Sequence, residues 1–279
     1  MVALTKARMP MARALAVGVI VLASVAAAFG APPKPPAGKG CQAWVDYFNK
    51  GALDPTRWTV ANGAAPGYIA GYHRGYYDPA HVSLASGMLS MLLTQTTGTV
   101  DGNSAGVISR GAMIYTNFVC GYGMYEWTMR MSSTADSPPA YGEPVSGSVS
   151  AGFIYVNNSQ TEIDFEFSGV DPDTLWLVNW LNPNPRQDPT EANETYTGIY
   201  PFDSTGVFHN YKFVWSKGKI SYYIDGVKKA DHTNNVPTAP AYFMINTWGT
   251  DSANWGGAAT LDTPRYIYVS KAAYTPPAR

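Results

Sequence analysis

The sequence predicts an all-β protein, and three observations carry that prediction. Only 39 of the 279 residues are charged, 14% against a usual share of about 25%. Trp, Tyr and Phe number 37, and Gly with Pro 48; aromatic rings suit a pleated surface, whereas Gly and Pro interrupt helices and build tight turns. No window sustains an apolar 3.6-residue period over three turns. A formal charge of −1 supplies no field for phosphates, so neither a nucleic-acid partner nor a disordered chain is expected. At this length one large sandwich or barrel competes with two small domains, and either can bury a sizeable core without metals or many disulfides.

Residues 1–30 read as a secretory signal peptide rather than as part of the fold. Lys6, Arg8 and Arg13 precede the apolar run ALAVGVIVLASVAAAFG at 14–30, with small-residue cleavage patterns ending at Ala28 and at Gly30. The rival is an uncleaved anchor, against which the run is shorter than the roughly 20 residues that span a bilayer. No later segment is long and apolar enough to span one, so a secreted protein, extracellular or periplasmic and free of the membrane after cleavage, is expected. Residues 31–40 (APPKPPAGKG) form a Pro-rich spacer, which leaves 41–275 as a single globular domain. Its two cysteines, Cys41 and Cys120, enclose 78 residues. A bridge between them would constrain the unfolded chain by roughly 4 kcal/mol in the entropic model; the alternative is two buried thiols. The two cysteines lack the paired spacing of a zinc site, which argues against a metal role.

From there the chain reads as strands in series: 88–94, 111–119, 123–131, 152–156, 161–167, 175–181, 210–215, 219–224, 242–247 and 265–271. Ser216-Lys217-Gly218-Lys219 joins two of them as a hairpin, and Asp225-Gly226 ends the second in a tight turn. Many short strands at such spacing point to a sandwich, and no repeat of 20 to 50 residues suggests a propeller or solenoid.

The chemistry concentrates in the run TEIDFEF at 161–167. Strict alternation puts Glu162, Asp164 and Glu166 on one face and Ile163, Phe165 and Phe167 on the other. Three carboxylates spaced about 6.6 to 7 Å apart repel one another, a cost that calls for an explanation. Crowding pushes their pKa values apart, so that one stays protonated while another is ionised, as acid-catalysed cleavage of a glycosidic bond requires. A solvated polar face and a calcium site are the alternatives. GNSAG at 102–106 fits the G-x-S-x-G pattern, but a strand follows it where a nucleophile elbow needs a helix. His73, His81, His209 and His232 are scattered without metal-binding spacing, and His209 is expected to make a structural hydrogen bond in its hairpin. Asn157 and Asn193 open N-glycosylation sequons, which count only in a source that glycosylates.

The string EIDFEF at 162–167 resembles the catalytic signature of glycoside hydrolase family 16, which holds lichenases, laminarinases and xyloglucan endotransglycosylases. GYGMYE at 121–126, FHNYKFVW at 208–215, ISYYIDG at 220–226 and INTW at 245–248, with Trp255 after it, resemble further ordered segments of that family, closest to the bacterial endo-β-1,3-1,4-glucanases. The resemblance implies a concanavalin-like β-jelly-roll sandwich with a concave substrate cleft and a retaining mechanism. Glu162 would be the nucleophile, Glu166 the acid and base, and Asp164 the residue that tunes the nucleophile. Residues four apart on a strand have Cα atoms about 13 Å apart, so the stereochemistry comes from the resemblance and not from the spacing. It also nominates Phe153, Tyr155, Asn179, Trp248 and Trp255 as substrate contacts, with core packing as the competing role for each aromatic. Aromatic faces bind pyranose rings with little charge, which suits a neutral β-glucan.

Several positions depart from the family pattern. Thr161 stands where many relatives carry Asp, Leu181 where lichenases carry Tyr, and the insert at 182–193 has no close counterpart. Ile267 occupies the place of the Asp that holds the family's structural calcium, so no cofactor or metal is assumed. Arg110 is a weak match to an arginine beside the cleft. The expected activity is hydrolysis of β-1,3-1,4-glucan by a monomer. The alternatives are depolymerisation of a succinoglycan-like exopolysaccharide, transglycosylation, and glycan binding without cleavage.

Overall fold

The computed structural model describes residues 41–185 and 191–278; the proposed signal peptide and spacer, and part of the insert at 182–193, lie outside them. Two large sheets face each other. The front sheet runs, from one edge to the other, β12 (Asn193–Ile199), β11 (Leu175–Leu181), β10 (Thr161–Ser168), β9 (Ser148–Val156), β16 (Ala241–Gly249), β7 (Asn103–Cys120) and β2 (Trp58–Val60). The back sheet runs β15 (Val227–His232), β14 (Lys219–Ile224), β13 (His209–Ser216), β8 (Gly123–Ser133), β17 (Arg265–Thr275), β6 (Met88–Val100) and β5 (Val82–Ala85), with β1 (Trp44–Asp46) also on β17. The N-terminal half of β7 leaves the front sheet to pair with β6 on one side and, in parallel, with β4 (His73–Tyr77) on the other; β3 (Gly63–Ile69) extends that flap. The described residues include a 3-10 turn, Pro79–His81, with the Asp78 carboxylate accepting from the Ala80 N–H.

Alternation decides which side chains meet between the sheets. Ile163, Phe165 and Phe167 of β10, Leu175 and Leu177 of β11, Tyr211, Phe213 and Trp215 of β13, and Ile220, Tyr222 and Ile224 of β14 all point into one core. At its centre Trp127 stacks on Phe243 with ring centroids 4.3 Å apart, and Tyr125 stacks on Phe213 at 4.9 Å. Gly152, opposite Phe165 in the register, gives Trp127 its place: a Cβ there would lie 2.9 Å from the indole. Turn chemistry matches the sequence. Lys217-Gly218 closes β13 on β14 with Ser216 paired to Lys219, and Asp225-Gly226 adopts positive φ at both residues, 50° and 79°, the geometry of a type I′ hairpin. The Asp101-Gly102 turn likewise feeds directly into β7, so the G-x-S-x-G match lies at a strand's start. Cys41 and Cys120 are bridged, Cα to Cα 5.0 Å, which ties the start of the domain to the end of β7.

Candidate active site

Register fixes the outer face of the front sheet. Glu162, Asp164 and Glu166 of β10 lie opposite Tyr155, Phe153 and Ala151 of β9, and opposite Trp180, Val178 and Trp176 of β11. Directly paired residues share a face, so all nine side chains project away from the core. Glu162 and Asp164 are nonetheless 8% and 3% exposed, which places them at the bottom of a recess. Its walls are the β3–β4 flap, whose Gly67 lies against the Trp248 ring, and the 249–262 loop that carries Trp255. Phe153, Tyr155 and Trp248 join Met113, Val149, Ala151, Met244 and Tyr77 in a second apolar cluster on this face, with Trp255 packed beside it.

Burial sets the electrostatics of the carboxylates. Desolvation, opposed by the hydroxyl of Ser159, which donates to Glu162, pushes Glu162 up to about 7. Asp164 is driven well above the usual carboxylate range by burial and then by its two acidic neighbours; its Oδ2 has no hydrogen-bond partner, so no donor supports the ionised form at that oxygen. Burial and the charge of Glu162 push Glu166 up to about 8, with the Trp255 side chain, through a hydrogen bond, pulling the other way. Neutral forms are therefore favoured across the trio, and the ionised form is favoured most where a donor is aimed at it. Ser159 reaches Glu162 because the β9–β10 turn runs through three residues of positive φ, Asn157, Asn158 and Ser159. The loop that carries Trp255 is held at the other end of β10: the Gly256 N–H donates to Ser168 Oγ at 2.9 Å, and Ser168 lies two residues beyond Glu166 on the same strand. One carboxylic acid able to give a proton, beside a carboxylate held by a hydroxyl, is the equipment of acid-assisted cleavage with a nucleophile or base.

The structure relocates Asn179. It pairs with Ile163 and so belongs to the inner face, fully buried, where its Nδ2 donates to the carbonyls of Asn234 and Asn235 at 3.1 and 2.7 Å and its Oδ1 meets His232 Nδ1 at 2.7 Å. The expected substrate contact is corrected to a structural strut. The residues β11 presents instead are Trp176, Val178 and Trp180, and the signal was in the sequence: Asn179 shares parity with the core residues Leu175 and Leu177. Arg110 lies on the outer face of the flap, 3.4 Å from the Asp78 carboxylate and over the Tyr76 ring, on the opposite face of β7 from Met113. His209 bonds Asp225 at 2.6 Å and the Asp203 carbonyl at 2.9 Å, a hairpin strut. Among the described residues, no three His, Cys, Asp or Glu side chains are grouped to hold a metal ion, and Ile267 is a core residue.

Comparison with known proteins agrees with this geometry. The family "Glycosyl hydrolases family 16" matches residues 73–265. A Beta-glucanase of Paenibacillus polymyxa is 31% identical over 160 residues, 56% of this chain and 60% of the relative. One of Brevibacillus brevis is 27% identical over 238 residues, 82% and 81% of the two chains. Among solved structures, the Bacillus licheniformis beta-glucanase superposes with a TM-score of 0.65 at 23% identity, covering 86% of this chain and all of that one. The laminarinase catalytic domain of Thermotoga maritima gives 0.64 at 18%, covering 86% and 100%. With its match running from the flap to the last strand and taking in the carboxylate strand between them, the chain belongs to family 16 of the glycosyl hydrolases.

Proposed function

We propose that the protein is an exported endo-β-glucanase that cleaves its polymer with retention of configuration, with mixed-linkage β-1,3-1,4-glucan as the preferred substrate. The observation that carries the reading is the pairing, on one recessed strand face, of Glu166 as a half-buried acid with Glu162 as a carboxylate held by the Ser159 hydroxyl. Glu162 attacks the anomeric carbon while Glu166 gives its proton to the departing glycosidic oxygen. The glycosyl-enzyme ester is then opened by a water from which Glu166 takes a proton. Asp164, protonated between them, spares the site a third negative charge. The names of the relatives support the substrate class, and the aromatic lining, with few charges near it, supports an uncharged glycan. The basic and then apolar pattern of residues 1–30, together with the Cys41–Cys120 bridge, supports export to an oxidising compartment.

The test is a substrate panel. Incubation with lichenan, laminarin, xyloglucan and succinoglycan, with products sized and the anomeric configuration followed by NMR, is expected to give short oligosaccharides from lichenan, released first as the β-anomer. Glu162→Gln is expected to fold, to bind lichenan and to turn none of it over. Shortening of no polymer by the parent protein, or an active Glu162→Gln, overturns the reading.

A further inference from the structure

Three aromatic rings follow one another across the sheet from Glu166, and the proposed reaction uses only the first of them. Trp255, whose side chain bonds Glu166, lies 6.1 Å from Trp176, and Trp176 lies 5.9 Å from Tyr196, centroid to centroid. Register puts the last two on the carboxylate face: Trp176 is opposite Glu166 on one side and Gly198 on the other, and Tyr196 is opposite Val178. The rings are inclined to one another by 58° and 67°, tilted and edge-to-face rather than stacked in parallel. Gly198 permits this arrangement, since a Cβ there would stand 3.2 Å from the Trp176 ring. Tyr196 is 50% exposed in the middle of a strand, and the Trp176 indole nitrogen is shielded from solvent yet has no acceptor.

We propose that Trp176 and Tyr196, continuing from Trp255, form a binding wall for the sugar on the leaving side of the scissile bond, and that its ligand is an uncharged pyranose with equatorial substituents, whose C–H face lies on a ring. The side follows from chemistry. The group that protonates the departing oxygen stands next to the departing sugar, and the wall begins at that group, whereas the neighbours of Glu162 are Tyr155 and Trp180. The inference rests on the proposed glucanase activity and adds to it that the same wall receives acceptor sugars, which makes it a determinant of transglycosylation.

Two variants test it in the full chain: Trp176→Ala, and Tyr196→Ala, whose exposed side chain can be removed without opening the fold; Tyr196→Phe keeps the ring as a control. Each is assayed on lichenan and on a 4-nitrophenyl β-glycoside of a gluco-oligosaccharide, which has no sugar on the leaving side. Loss of one stacking contact lowers kcat/KM on the polymer about tenfold, while the aryl glycoside is cleaved within about twofold of the parent, a split that simple loss of structure would not give. Equal losses on both substrates, or none on the polymer, overturn the assignment. Retardation of each protein by lichenan in affinity electrophoresis separates the two levels. If the parent is retarded but inactive, the activity reading fails, and the wall stands only if the alanine variants run faster. If the parent is not retarded, the wall fails too.

Discussion

Trp255→Phe tests how the acid is tuned. Glu166 is pushed up to about 8 by burial first and the charge of Glu162 second, and the Trp255 hydrogen bond is the opposing influence. Phe keeps the ring and removes the donor. A hydrogen bond to a charged group is worth about 1.5 to 3 kcal/mol, but Glu166 keeps partial access to water, which replaces about half of that. The remaining ~0.75 to 1.5 kcal/mol corresponds to about 0.6 to 1.1 pKa units. Because the N–H favours the ionised form, its loss raises the pKa. Because the first step needs the protonated form, the basic limb of the kcat/KM profile moves to higher pH by that amount. The acidic limb, which reports ionisation of Glu162, stays in place, since the Ser159 hydroxyl is untouched. The profile is read from reducing-sugar release on lichenan between pH 4 and 10, and as the carboxylates titrate together, the shift between variants carries the information. A basic limb that does not move, or that moves to lower pH, refutes the tuning role.

The same burial predicts a stability that falls as pH rises. Folded pKa values above the unfolded ones mean that the native state binds more protons, so stability is fully present below about pH 4.5 and is lost through 7 to 8. One carboxyl moved from 4.5 to about 7 accounts for at most about 3 kcal/mol. The melting temperature is expected to be lower at pH 8.5 than at pH 5.5, and Glu162→Gln to recover part of the difference; a rise with pH would contradict this. Asp231, held low by Lys228, Ser221 and Lys219, titrates below that window and does not obscure it. Reduction of the Cys41–Cys120 bridge, or Cys120→Ser, is expected to cost about 2 to 4 kcal/mol, seen as a lower denaturant midpoint; an unchanged midpoint would show that the loop is constrained by packing alone.

Much of the fold was legible because its strands have one wet and one dry face. TEIDFEF, HNYKFVW and ISYYI each divide into two faces by parity, and the structure seats the dry halves together. The edge strand β12 carries no such signal, for the converse reason. Asn193–Ile199 reads NETYTGI, with no fully buried residue, so hydrophobic pattern has nothing to report there. At the site, alternation places the carboxylates, and Phe153 and Tyr155 share a face by parity, but the resemblance that nominates Asn179 carries no information on parity. On a strand an offset of one residue is a change of face. The parity of the apolar Leu175 and Leu177 marks Trp176, Val178 and Trp180 as the opposite face of the same strand.

What no local pattern reveals is how Trp255 is held against Glu166, because the loop that carries it is anchored from distant parts of the chain. Gln95 is the anchor. Its Nε2 donates to Ser109 Oγ at 2.9 Å and to the Thr250 carbonyl at 2.8 Å, and its Oε1 accepts from the Thr260 N–H at 3.0 Å and from the Arg265 guanidinium. One fully buried amide thus grips the loop at both ends, at Thr250 and at Thr260. Arg265, also fully buried, adds bonds to the carbonyls of Thr260 and Thr263 at 2.8 and 2.6 Å, and His73 completes the chain by meeting Ser109 Oγ at 2.7 Å. Such a network gains little stability over an apolar core and is costly if any member is lost. Its worth lies in geometry: an apolar patch would hold the loop down but would leave it free to slide, whereas directed bonds fix the peptide from which Trp255 projects. The acid's environment is therefore assembled from β10, from a loop more than eighty residues later in the chain, and from the buried face of the flap, which is why the trio alone could name the chemistry but not the partner that tunes it.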